Sequence, residues 1–316
     1  MGLRSRLRKK LDQSPSYYTQ GVVLNRMGLQ VARCVAAYAW WRLRPRRVTP
    51  GLQQHVATLD RDGLLILPDF FPQADFLALK EEFERTRSPS DAFPYRAEPD
   101  GPTHYNLMHE TLALRPPLTS LPTFRRLLQE NSFLLDLVAA AVRRPIPQYP
   151  MLVLEVIRKR DHVQEAFDIQ NVLHADRHFP NIKMAYYLND HSPENGAFVY
   201  AKGSHALTTA RLRHEYRMSV DIARCGGQVP DAIRRSAVSA ERLQHGRVCL
   251  TEADIRAMNL RPESVCAPAN TLVVSNMAGF HRRGDLSPGQ VRLEARLSFQ
   301  YLETWSNILS RKRVAA

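Results

Sequence analysis

A histidine and an aspartate two residues apart, His174-Ala175-Asp176, can grip one cation from one side where the backbone is extended, because residues i and i+2 of a strand project to the same face. A third ligand, His281, stands far along the chain and has to be delivered by a separate strand folding back beside the first. Two imidazoles and a carboxylate form the facial triad of a non-haem iron site, with octahedral positions left open on Fe(II). The pattern therefore calls for strands remote in sequence to meet around one point. By itself the tripeptide is a weak signal in a chain with 11 histidines, and its surroundings have to decide.

Strand signals occur at Met151–Ile157, Ile169–His174, Lys183–Leu188, Ala197–Tyr200, Thr271–Ser275 and Arg292–Tyr301. Alternation in the last of these puts Arg292, Glu294, Arg296, Ser298 and Gln300 on one face. A helix is expected over Thr123–Val142, with Phe124, Leu127, Leu128, Phe133, Leu134 and Leu137 inward, stopped by Pro145-Ile146-Pro147. Ser88 to Pro102 reads as a long loop, and the polar stretch 211–257 as a helical insertion or lid. These elements describe a mainly β chain with flanking helices, built on a double-stranded β-helix of the jelly-roll or cupin-like kind. The expected division is a basic arm with an amphipathic helix over 1–50 and one catalytic domain over 51–316, with the insertion at about 206–260.

Around the iron tripeptide run Lys183-Met-Ala-Tyr-Tyr-Leu-Asn-Asp190, Glu194-Asn-Gly-Ala-Phe-Val-Tyr200 and the turn Gly203-Ser204-His205. Upstream stands Asp62-Gly-Leu-Leu-Ile-Leu-Pro-Asp-Phe-Phe-Pro72, before a helix carrying Phe76, Leu79 and Phe83. Together these segments resemble the phytanoyl-CoA dioxygenase family of Fe(II)/2-oxoglutarate-dependent oxygenases, over roughly Leu59 to Tyr301. The sequence departs from the family pattern at Ala197, where a proline is common, and at Ala201-Lys202.

The resemblance implies His174, Asp176 and His281 as iron ligands, 2-oxoglutarate as co-substrate, and oxidation of a substrate C–H bond with release of succinate and CO2. Asp176 retains the carboxylate that halogenases of related fold replace by a small residue, so hydroxylation is implied. The resemblance also implies an arginine eleven residues after the last histidine, Arg292, for the far carboxylate of the co-substrate. A guanidinium suits that task through its bidentate geometry and permanent charge. Arg296 is the rival, since Arg296-Leu-Ser298 mimics the Arg-x-Ser pair of other 2-oxoglutarate oxygenases, with pairing to Glu294 or a substrate anion as its other explanation. Gln170 and Tyr187 are candidates for the remaining co-substrate contacts. His178 is close enough to line the pocket, and His205 reads as a turn residue. His104 and His109 read as part of a substrate-facing or solvated loop.

No His-Glu-x-x-His element supports a zinc hydrolase. The formal charge of +13 is uneven: eleven Lys and Arg fall within Met1–Arg47 against Asp12 alone, and the rest of the chain carries only +3. A nucleic-acid partner is therefore not expected for the body. Val22–Trp41 is largely apolar, but Arg26 and Arg33 make it a poor spanning helix. On a helical wheel Arg26, Gln30 and Arg33 share one face, while Val23, Met27, Val31, Val35 and Tyr38 lie away from it. Its two readings are a helix lying on an anionic membrane surface and a helix packed on the barrel or at a dimer contact with its arginines in water. Arg44-Pro-Arg-Arg-Val-Thr-Pro50 is the nearest thing to a linker. Cys34, Cys225, Cys249 and Cys266 form no Cys-x-x-Cys pair, which fits a reduced, cytoplasmic location, peripheral at the inner face of a membrane if the arm binds lipid. The expected partner is a small-molecule or lipid-like substrate. The competing reading is a non-catalytic binding module on the same scaffold, tethered by its basic arm.

Overall fold

The computed structural model describes residues 21–86, 104–106, 109–114, 121–146, 150–158, 169–224 and 248–299. The expected loop Ser88–Pro102 and the middle of the polar insertion lie outside them.

Twelve strands are described, and every pairing between them is antiparallel. In chain order they are β1 (Leu64–Leu67), β2 (His104–Asn106), β3 (His109–Leu114), β4 (Met151–Arg158), β5 (His174–Ala175), β6 (Ile182–Tyr187), β7 (Val199–Ala201), β8 (Val248–Cys249), β9 (Pro262–Ser264), β10 (Leu272–Asn276), β11 (His281–Arg282) and β12 (Val291–Ser298). A seven-stranded sheet runs β1-β10-β6-β12-β4-β3-β2, and a five-stranded sheet runs β8-β5-β11-β7-β9. From β4 to β7 and again from β9 to β12 successive strands alternate between the sheets, which is the winding of a double-stranded β-helix. Mixed apolar composition explains the larger sheet: β10 is buried throughout, and β12 alternates around buried Ala295 and Leu297.

Helices cover the outer face of that sheet. α3 (Gln53–Asp62), α4 (Gln73–Thr86) and α5 (Ser132–Val142) insert Val56, Leu59, Phe76, Leu79, Phe83, Leu134 and Leu137 against Leu154, Val156, Tyr186, Val274 and Leu297 of the strands. Full burial of each such side chain contributes about 1.5–3 kcal/mol, so this cluster is the main source of stability. The single helix expected over Thr123–Val142 is two pieces. A short helical stretch, Pro122–Gln129, ends at Glu130, and Asn131 starts α5 by accepting a hydrogen bond from the Leu134 amide at 3.2 Å. An asparagine that caps one helix cannot also continue its predecessor.

The basic segment forms α1 (Val22–Arg26) and α2 (Leu29–Leu43), broken at Gly28, whose φ of 89° is left-handed. Both pack across α6 (Thr209–Arg224). Their sidedness reverses the expected one: Asn25, Gln30 and Arg33 are buried, while Val23, Met27 and Val35 are exposed; Tyr38 alone of the apolar face is buried. Buried partners on α6 explain the reversal. Asn25 Nδ2 donates to the Ser219 carbonyl at 3.1 Å, Gln30 Nε2 donates to Glu215 at 3.2 Å, and Arg33 donates to Gln30 at 2.9 Å. Trp41 Nε1 also donates to the Ala141 carbonyl at 3.0 Å, so α2 is fixed to α5 as well. No described helix is long and apolar enough to cross a membrane. A last, short helix, α7 (Glu252–Ala257), follows β8.

Candidate metal centre

The five-stranded sheet sets the two histidines side by side. His174 on β5 and His281 on β11 are direct Cα partners in the antiparallel pair. Both are buried, and Asp176 immediately follows β5 with its carboxylate half-buried between them. Asp176 Oδ1 lies 3.6 Å from His174 Nε2, and Oδ2 lies 3.9 Å from His281 Nε2. One ligand atom from each residue falls within 4.8 Å of the others, the spacing at which a single ion can touch all three.

Protonation favours a cation here. The His174 Nδ1–H donates to the Val172 carbonyl at 2.7 Å and the His281 Nδ1–H to the Gly279 carbonyl at 3.0 Å, which leaves both Nε2 lone pairs aimed inward. Burial, reinforced by the neighbouring His174, presses the His281 imidazole down to about 3, so it stands as a neutral ligand. His174 Nε2 is buried without a hydrogen-bond partner, an orphan that a metal ion would satisfy. Two imidazole nitrogens and one carboxylate oxygen fit Fe(II) as a donor set.

Gly279 is required by close packing: a Cβ there would run into the Tyr200 hydroxyl, which donates to the Asn276 carbonyl at 2.9 Å. Tyr200 is also the other Cα partner of His281. The turn before β11 is thereby locked to β7.

A cavity of about 90 Å3 opens beside His281, between the two sheets, lined by residues of β4, β6, β10, β11 and β12. Arg292, Arg296 and Gln170 line it, as does Glu294. Tyr187 and Ser298 do not. Tyr187 is fully buried, stacked on His191 with ring centroids 3.3 Å apart, and its hydroxyl donates to the Val265 carbonyl at 3.3 Å. Ser298 sits at the end of β12 opposite Lys183 and Met151. His178 is also outside the lining and packs edge-on against Phe179 at 5.1 Å. His205 fits its turn assignment, with Nε2 near the Asp60 carbonyl at 3.1 Å. His104 and His109, expected in a loop, lie instead on the paired strands β2 and β3.

On β12 the alternation holds, and it carries a buried charge network. Arg292 Nη1 donates to the Gly196 carbonyl, and its Nε lies 3.5 Å from Glu294. Arg296 Nη2 lies 2.8 Å from Glu155 on β4. Glu294 and Glu155 are direct cross-strand partners. Burial, opposed by Arg292 and reinforced by Glu155, pushes the Glu294 carboxyl up to about 7. Glu155 escaped the sequence reading, although it interrupts the apolar run Met151–Ile157 and a charge in such a run needs a buried partner.

Lys183 was the second omission. Its ammonium is 2.5 Å from Asp176 Oδ2 and it lines the cavity, so Oδ1 is the oxygen left for an ion. A lone lysine in the apolar stretch Ile182–Leu188 was its signal. With Arg282, Arg283, Arg292 and Arg296, the lining carries five cationic side chains against Glu155 and Glu294.

Among solved structures the chain is similar to the epimerase SnoN in complex with Fe3+, alpha ketoglutarate and nogalamycin RO, at 13% identity over 78% of this chain and 82% of that one, with a TM-score of 0.49. It is also similar to EctD from S. alaskensis with 2-oxoglutarate and 5-hydroxyectoine (14%, 80% and 81%, TM-score 0.47) and to AviO1 from Streptomyces viridochromogenes Tue57 (18%, 81% and 98%, TM-score 0.43). No curated protein matches it. The phytanoyl-CoA dioxygenase family model, in contrast, matches residues 59–241, more than half of the sequence and the part that carries His174, Asp176 and the Gly203-Ser204-His205 turn. The protein therefore belongs to the phytanoyl-CoA dioxygenase family, and with it to the iron- and 2-oxoglutarate-dependent oxygenases.

Proposed function

We propose that His174, Asp176 and His281 hold Fe(II), that Arg292 receives the far carboxylate of 2-oxoglutarate, and that the enzyme hydroxylates a C–H bond of an anionic small-molecule or lipid-like substrate. The observation that carries this reading is the convergence of both Nε2 atoms and a carboxylate oxygen at one buried point, with His174 Nε2 lacking any other partner. When bound, iron and its co-substrate supply the oxidising power: R–H, O2 and 2-oxoglutarate become R–OH, succinate and CO2.

The remaining tasks fall to the protein. Val172 and Gly279 carbonyls fix the ring orientations, and Lys183 holds one carboxylate oxygen of Asp176 so that the other faces the ion. Excess cationic lining favours a doubly charged oxo acid and disfavours neutral competitors. Arg296 is largely neutralised by Glu155 at 2.8 Å, which favours Arg292 for the co-substrate. The body from about residue 51 onward forms the oxygenase domain.

Purified protein supplied with Fe(II), 2-oxoglutarate and oxygen should release succinate, and His174→Ala or His281→Ala should abolish that release while preserving the circular dichroism spectrum. Release undiminished in either variant would overturn the ligand assignment, and no release from the native protein would favour a binding module on the same scaffold.

A further inference from the structure

The N-terminal helices are amphipathic in the wrong direction for an isolated surface helix. Their polar side chains, Asn25, Gln30 and Arg33, are consumed by α6, where Glu215 is fully buried and also held by Arg211 at 2.8 Å. What faces outward is apolar: Met27 is 79% exposed, Leu43 80%, Val23 68% and Leu24 53%, with Val35 and Trp40 continuing the stripe. A 15-residue α2 spans about 22 Å, so this is a patch of real extent. An exposed apolar face of that kind marks an interaction site more often than a free surface.

Its rim identifies the occupant. Arg26, Arg42 and Arg47 are exposed along the same segment, and Arg44 stacks over Trp40 at 5.2 Å. Between Gly21 and Leu59 the sequence contains no acidic residue. On α6 exposed Arg213 adds to this positive character, whereas Arg217 and Arg224 are paired with Asp254 and Asp221. We infer that the outward face of α1 and α2 docks on an anionic phospholipid bilayer, the apolar stripe entering the acyl boundary and the arginines meeting headgroup phosphates. A second copy of the chain is a poorer occupant, because an isologous interface would place these arginines opposite their own counterparts with no acid between them. The inward side of α2 abuts the oxygenase body: Ala37, Trp41 and Arg44 share a small pocket with Phe179, Pro180 and Asn181, the segment leading out of Asp176.

The test is sedimentation of the full chain with phosphatidylcholine vesicles prepared with and without phosphatidylglycerol. Binding should require the anionic lipid and weaken as salt rises. Met27→Glu with Leu43→Glu should reduce it roughly tenfold or more, since both lose apolar contact and gain repulsion, while the melting temperature stays close to native because neither side chain is buried. Equal binding to both vesicle types, or full binding by the double variant, would overturn the proposal. So would a native dimer in analytical ultracentrifugation that the double variant dissociates, which would make the second copy the occupant.

Discussion

His174 and His281 use the same device: each donates its Nδ1–H to the carbonyl of the residue two before it, Val172 and Gly279, while their rings lie 4.5 Å apart across the β5–β11 pair. Two independent backbone segments thus present Nε2 to a common point. An ion bound there bridges strands that are remote in the chain and favours the folded state alone. At roughly a hundredfold excess over Kd, Fe(II) should raise the unfolding free energy by about 2.7 kcal/mol. Anaerobic melting with and without the metal measures this, and His281→Ala should show no shift.

The two arginines of β12 should separate in binding experiments. Arg292→Gln is expected to weaken 2-oxoglutarate binding by about 2–5 kcal/mol, as when one partner of a buried charge pair is truncated. Arg296→Gln should do much less to the co-substrate, because its guanidinium is engaged by Glu155. Calorimetric titration of both variants decides the matter, and the opposite ranking would transfer the role to Arg296.

Glu294 should leave a signature in the pH dependence of stability. Its carboxyl is raised from an ordinary 4.5 to about 7 by burial, so the folded state holds a proton that the unfolded state releases. Stability from this residue is therefore lost as pH rises from about 4.5 to 7. Glu294→Gln mimics the protonated form and should be more stable relative to native at pH 8 than at pH 5, by on the order of 1–3 kcal/mol. Urea denaturation at the two pH values tests the sign.

Removing residues 1–47 should destabilise the protein. The truncation strips Gln30 from buried Glu215, Asn25 from the Ser219 carbonyl and Tyr38 from the His205 carbonyl, and it uncovers α6. A chain starting at Val48 is expected to melt several degrees lower or to aggregate, because it loses these hydrogen bonds, each contributing about 0.5–1.5 kcal/mol, and exposes the surface of α6 that α1 and α2 cover. A soluble truncated protein with native melting would show that α1 and α2 are dispensable to the body.

What could be read from the sequence was local periodicity and spacing. The β12 alternation placed Arg292, Glu294 and Arg296 on one face, and the i, i+2 spacing at His174 and Asp176 brought both to one point, although the regular strand stops at Ala175. The contacts that went unread depend on residues far away. Nothing near Gln30 announces Glu215, and nothing near Arg296 announces Glu155, so the inward turn of the polar helix face and the true partner of Arg296 needed the fold. Asn131 was legible in principle as a cap, but the apolar periodicity on both sides masked the break.

β11 is only two residues long, too short to hold its own alignment. A slip of one residue would turn His281 to the opposite side of the sheet. What prevents it is the seat of Gly279 beneath Tyr200, so the alignment of His281 with His174 is delegated to a residue outside the proposed ligand set. Gly279→Ala is thus a lesion of alignment: it would misregister His281, the proposed ligand, with that side chain intact, and the damage would look catalytic though its origin is a single methyl group.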